Sequence, residues 1–145
     1  MKTIACALAA ATMMSAGPVH AAKAQIAQML KLSSETRIEQ RCDARAMGAV
    51  QREHKGFEPD EFVAYAFTDP ILRGSKITAP GGAIRSNGKW YRLSYTCKTN
   101  ADGLDVVTFA YQLGGEVPRR EWDAHYLVPK SNKRARARSA WAPAP

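Results

Sequence analysis

The sequence predicts an α+β fold, with an N-terminal helix packed on a four- to five-stranded antiparallel sheet and one helix–sheet disulfide. Three observations carry this. From residue 34 to about 52, apolar side chains recur at helical spacing, with Ile38, Cys42, Ala46, Ala49 and Val50 on one stripe. From 89 to 97 the side chains alternate instead: Tyr91, Leu93, Tyr95 and Cys97 share one face, while Arg92, Ser94 and Thr96 share the other. The two periods, 3.6 and 2, each turn a cysteine inward. Cys42 and Cys97 are therefore expected to meet in the core.

The chain opens with a targeting segment. Residues 1–21 read as a secretory signal peptide: Lys2 is the positive end, 4–14 is an Ala-rich apolar run, and Gly17-Pro18 breaks it. Val19-His20-Ala21 supplies the small-residue cleavage site, with Ala22 or Ala24 as alternatives. The run falls short of the ~20 residues that a spanning helix needs. Cleavage removes Cys6 and leaves Cys42 and Cys97, an even pair that in an exported chain reads as a disulfide. Two buried free thiols are the alternative.

Charge divides the chain in the same way. The formal charge is +8, but residues 22–129 hold 15 Lys+Arg against 13 Asp+Glu. The excess lies in Lys2 and in Lys130, Lys133, Arg134, Arg136 and Arg138. Residues 22–129 are long enough for a single α+β domain with one modest core. Residues 130–145 lack apolar periodicity and read as a disordered basic tail.

Within the domain, 22–32 is a weakly amphipathic lead-in. Ser33-Ser34-Glu35-Thr36 starts the main helix with a hydroxyl cap and an acid in the first turn. Residues 62–67 form a strand that is apolar on both faces, either central in the sheet or covered on both sides. A short strand is expected at 75–79, then a bend at Pro80-Gly81-Gly82. Asn87-Gly88 signals a two-residue hairpin that pairs Ser86 with Lys89, Arg85 with Trp90 and Ile84 with Tyr91. That register puts Arg85 and Trp90 on the outer face beside Arg92. The last strand is expected over 104–113, with Val107, Phe109, Tyr111 and Leu113 on one face, Thr108, Ala110 and Gln112 on the other, and Gly114-Gly115 ending it. Pro118 then leads into a short turn in which Trp122 and Tyr126 are four apart.

Four segments carry a resemblance: 36–43 (Thr-Arg-Ile-Glu-Gln-Arg-Cys-Asp), 63–67 (Val-Ala-Tyr-Ala-Phe), 90–97 (Trp-Tyr-Arg-Leu-Ser-Tyr-Thr-Cys) and 118–122 (Pro-Arg-Arg-Glu-Trp). Together they are similar to a family of small exported bacterial proteins, the domain of unknown function nine-thirty, over roughly 32–129. The resemblance implies an envelope or periplasmic address. It brings no activity, cofactor or catalytic residue.

The residues themselves exclude several chemistries. After cleavage, His54 and His125 are the remaining histidines. A metal site needs three or four ligands, and the best local set, Glu121, Asp123 and His125, is splayed by its spacing of two. No metal and no cofactor is expected. Ser94 lies mid-strand without a nucleophile elbow. Gly81-Gly82 precedes a strand rather than a helix, so it does not cradle phosphate. Asp43 and Asp60-Glu61 make no acid–base pair. No Cys-x-x-Cys is present.

Two surfaces survive. One is the outer sheet face with Arg85, Trp90 and Arg92, joined by Thr108 and Gln112 on the next strand, where guanidinium and indole suit an anionic or sugar-like ligand. The other is the tail, whose cations suit an anionic envelope polymer or membrane surface. Nucleic acid shares the electrostatics but not the compartment, and an unidentified protein partner fits as well. The leading expectation is a non-enzymatic binding or interaction module of the cell envelope. The alternative is a small exported hydrolase of envelope polymers, which would need His54 or His125 beside a carboxylate in a buried cleft.

Overall fold

The computed structural model describes residues 18–131. The expected fold class is present: two helices and an antiparallel sheet, with Cys42 of a helix bonded to Cys97 of a strand. Helix α1 is Pro18–Met29 and α2 is Ser34–Glu53. The strands are β1 Pro59–Thr68, β2 Ile71–Arg73, β3 Lys76–Ser86, β4 Lys89–Thr99 and β5 Val106–Glu116. The sheet runs β1-β3-β4-β5, and β2 adds to β3 beyond the end of β1. Two single 3-10 turns, Arg119–Glu121 and Asp123–His125, follow. The expected cleavage point after Ala21 falls inside α1.

The helix starts where its cap dictates. Ser33 is extended, and its hydroxyl accepts from the Thr36 N–H at 3.2 Å. The inward stripe of α2 is Ile38, Cys42, Ala46, Ala49 and Val50, all buried. It lies across β1, β3, β4 and β5. There it meets Ala64, Ile77, Ala79, Ile84, Leu93, Tyr95 and Cys97. The Cys42 and Cys97 Cα atoms are 5.9 Å apart, within bridging range. The hairpin has the expected register: Ser86 pairs with Lys89, Arg85 with Trp90 and Ile84 with Tyr91. Asn87 and Gly88 take φ of 52° and 78°, as a type I′ turn requires.

Bulges account for three departures from the expected strands. Pro80-Gly81-Gly82 does not end a short strand at 75–79. The three steps from Ala79 to Gly82 face two on β4, so the extra residue is a bulge within one long β3. Gly114-Gly115 likewise does not end β5, because the extra residue there is absorbed between Leu113 and Glu116. A third bulge reverses the alternation at the start of β5: Thr99 pairs with Val106, Lys98 with Thr108, and Val107 is left out, 61 % exposed. Val106 packs on the core in its place. Strand β1 is at the sheet margin yet covered on both sides, with Phe62 and Ala64 toward α2 and Val63, Ala66 and Phe67 in a second core.

That second core lies on the face expected to be open. Val117, Trp122 and Leu127 fold over Val63, Ala66, Ala83 and Trp90. The chain returns because the Val117 N–H donates to the Trp90 carbonyl at 2.7 Å and the Trp122 indole donates to the Val117 carbonyl at 2.9 Å. Tyr126 does not join Trp122 inside. It adopts a left-handed φ of 59° that turns its ring outward, against Tyr65.

Candidate functional site: a polar groove on the outer sheet face

The bulges and the C-terminal cover divide the outer face in two. At the hairpin end it is closed. Trp90 is fully buried, and its Nε1 donates to the Val128 carbonyl at 2.9 Å. Arg85 is 7 % exposed and forms a structural tie. Its guanidinium pairs with Asp60 and Glu61, both at 2.7 Å, donates to the Val128 carbonyl at 3.1 Å, and lies 5.4 Å from the Trp90 ring. Asp60 is held below its ordinary pKa: the hydrogen bonds and charges of Arg85 and Lys130 outweigh burial, the largest single influence, which pushes upward. The expectation that Arg85 and Trp90 stand on a solvated face beside Arg92 is therefore corrected. Alternation placed them on the outer face correctly, but a segment far along the chain covers that part of it.

Beyond the cover the face is open, and it forms a groove. Thr78 and Pro80 of β3, Ser94 and Thr96 of β4, and Ala110 and Gln112 of β5 line a hollow of about 300 Å³. It runs on into a second hollow of about 190 Å³ that shares Pro80, Ser94 and Gln112 and adds Phe67, Gly81, Gly82, Arg92 and Gly114. The alternation of β4 explains the polar floor, since Arg92, Ser94 and Thr96 project outward while Leu93, Tyr95 and Cys97 are buried.

Arg92 is the charged group of this surface. Its Cζ lies 3.7 Å from the centre of the Phe67 ring, a close cation–π contact. Gly114 gives it room, because a Cβ there would come to 3.0 Å of the Arg92 Cβ. Among the described residues no carboxylate is within ion-pair distance of Arg92. Its planar fork of donors is thus held by stacking and free to bind. With two threonine hydroxyls, a serine hydroxyl and a carboxamide in the same groove, the set suits a ligand rich in hydroxyls and carboxylate or similar anionic groups. Thr108 pairs with Lys98 at the margin of β5 and does not line the groove; Gln112 does.

The other candidate residues are dispersed. The groove lining contains neither histidine nor carboxylate. His54 sits at the end of α2, where Tyr111 donates to Glu53 at 2.7 Å and His54 Nε2 is 3.1 Å from the same hydroxyl. Burial and the Glu53 carboxylate push the Tyr111 hydroxyl up to about 12. His125 Nδ1 is 2.9 Å from the Ala66 carbonyl, and its ring lies on Phe67. No group of three or more His, Cys, Asp or Glu side chains suited to a metal occurs among the described residues. Asp43, next to the disulfide on α2, accepts a 2.6 Å hydrogen bond from Tyr95. Burial raises the Asp43 carboxyl to about 7, the Tyr95 bond opposes that, and Glu39 adds to it. Tyr95 is raised as well, chiefly by burial.

Lys130 pairs with Asp60 at 3.1 Å. Lys133, Arg134, Arg136 and Arg138 lie outside the described residues. No described helix is long and apolar enough to cross a membrane. The family model described as Domain of Unknown Function (DUF930) matches residues 29–127. No curated protein and no solved structure matches the chain.

Proposed function

We propose that this chain, which belongs to the Domain of Unknown Function (DUF930) family, is an exported, non-enzymatic binding module of the cell envelope whose ligand lies in the β3–β4–β5 groove. The observation that carries the reading is the Arg92 fork, stacked on Phe67 in the second of two adjoining hollows lined by hydroxyls and an amide, and without a carboxylate partner among the described residues. Such a surface recognises polar polymer through stacking and charge-assisted hydrogen bonds, and it needs no acid–base pair. Export is supported by the helix–sheet disulfide, a bond that persists in oxidising compartments, together with the signal-like residues 1–21. The basic residues from 130 onward add a second, purely electrostatic attachment to anionic polymer or membrane.

The two attachments separate experimentally. Calorimetric titration of residues 22–145 with an oligo-uronate should show binding that neutral dextran does not. Arg92→Ala should weaken it roughly tenfold or more, the loss of a charge-assisted hydrogen bond. Truncation after residue 129 should remove the strongly salt-dependent component and leave the groove component. Equal binding by wild type and Arg92→Ala would end the groove reading.

A further inference from the structure

Strand β5 forms a margin of the sheet, paired with β4 on one side and with no other strand among the described residues. Such a margin is a row of unpaired N–H and C=O groups, which proteins normally block with charge, proline or bulges. The opposite margin is blocked in all three ways. Strand β1 begins with Pro59, carries Asp60 and Glu61, and loses regular pairing between Val63 and Thr68. Strand β5 has neither charge nor proline from Val106 to Gly115. Its bulges lie at its ends, so 108–113 is regular and open.

We infer that β5 pairs antiparallel with β5 of a second copy of this chain, about a two-fold axis at Ala110. An uncharged strand sets no like charges opposite each other. The axis at Ala110 places the smallest side chain of the regular stretch against itself. It sets Phe109 opposite Tyr111 of the second copy, and Thr108 opposite Gln112. On the helix side Tyr95, Phe109 and Tyr111 already form a row with centroids 5.8 Å apart at each step. Pairing continues that row into the second copy. On the outer face, Ala110 and Gln112 form the β5 wall of the groove, so two grooves would meet along the axis. The dimer does not depend on the groove having a ligand.

The register supplies the test. Sedimentation equilibrium of residues 22–145, disulfide intact, should show a monomer–dimer equilibrium through the micromolar range. Thr108→Lys with Gln112→Lys brings like charges face to face across the axis and should give a monomer. Thr108→Lys with Gln112→Glu places opposite charges face to face and should restore the dimer. Circular dichroism must match wild type for both variants, and each swap keeps the backbone of β5 unchanged. A monomeric wild type, a dimer that survives the Lys/Lys variant, or a Lys/Glu variant that stays monomeric while folded would each overturn the inference.

Discussion

Replacing Trp90 tests the closed half of the outer face. Trp90 is fully buried between Val63, Ala83, Val117, Trp122 and Leu127. Trp90→Ala removes the largest fully buried side chain and leaves a cavity bounded by two protein layers. Truncations of this kind cost about 3–5 kcal/mol. Losing the indole donor also strands the Val128 carbonyl from that side and withdraws the ring beneath Arg85, about 1 kcal/mol more. Domains of this size hold roughly 5–15 kcal/mol in all, so the variant should lose a large fraction of its stability. Trp90→Phe separates the terms: it keeps most of the volume, loses the hydrogen bond, and should cost about 1–2 kcal/mol. Urea unfolding of both variants, followed by circular dichroism, gives the comparison. A folded Trp90→Ala within about 1 kcal/mol of wild type would show that the C-terminal cover is not seated on Trp90, and the division of the face into closed and open halves would fail.

Three further outcomes are expected. Cys42→Ala with Cys97→Ala opens a loop closed across 55 residues of sequence and should cost about 4 kcal/mol in urea unfolding; a loss under ~1 kcal/mol would contradict a bridge that ties α2 to β4. Asp43 has a folded pKa of about 7 against 3.8 for the free group, so the native state holds its proton more tightly. Its stabilising effect is therefore full below about pH 4 and lost as pH rises through about 7. Asp43→Asn should flatten that decline in unfolding free energy across pH 4–7, and parallel profiles for variant and wild type would refute it. Gly88→Ala places a side chain at φ of 78° in the hairpin turn and should cost about 1 kcal/mol without altering the far-ultraviolet spectrum.

The fold was legible because its periodicities are local. The stripe of α2 and the alternation of β4 each needed only neighbouring residues, and their agreement on Cys42 and Cys97 located the helix on the sheet. Asn87-Gly88 set the register of β3 and β4 for the same reason. What the sequence concealed was non-local or one residue wide. A bulge at Val107 shifts every side chain before it to the other face, and no composition signal distinguishes Val106 from Val107. Nor could alternation show that Val117, Trp122 and Leu127 fold back over Trp90, although an indole placed among polar neighbours on the outer face was the available signal. The groove was half legible: Arg92 and Gln112 were anticipated on the outer face. The part played by Phe67 and Pro80 depends on bulges in β1 and β3 beside Arg92, whereas Thr78 lies opposite Thr96 in regular pairing.

If the groove is the ligand surface, a ligand must perturb its lining residues. Amide and side-chain NMR shifts of residues 22–129 during titration with an oligo-uronate address it directly, because the basic residues from 130 onward are absent. Binding in the groove should give a contiguous set of perturbations at Thr78, Arg92, Ser94, Thr96 and Gln112, with the Arg92 guanidinium among the largest, and little change in α2. Perturbations confined to the surface around His54 and Tyr111, or none at all, would contradict it.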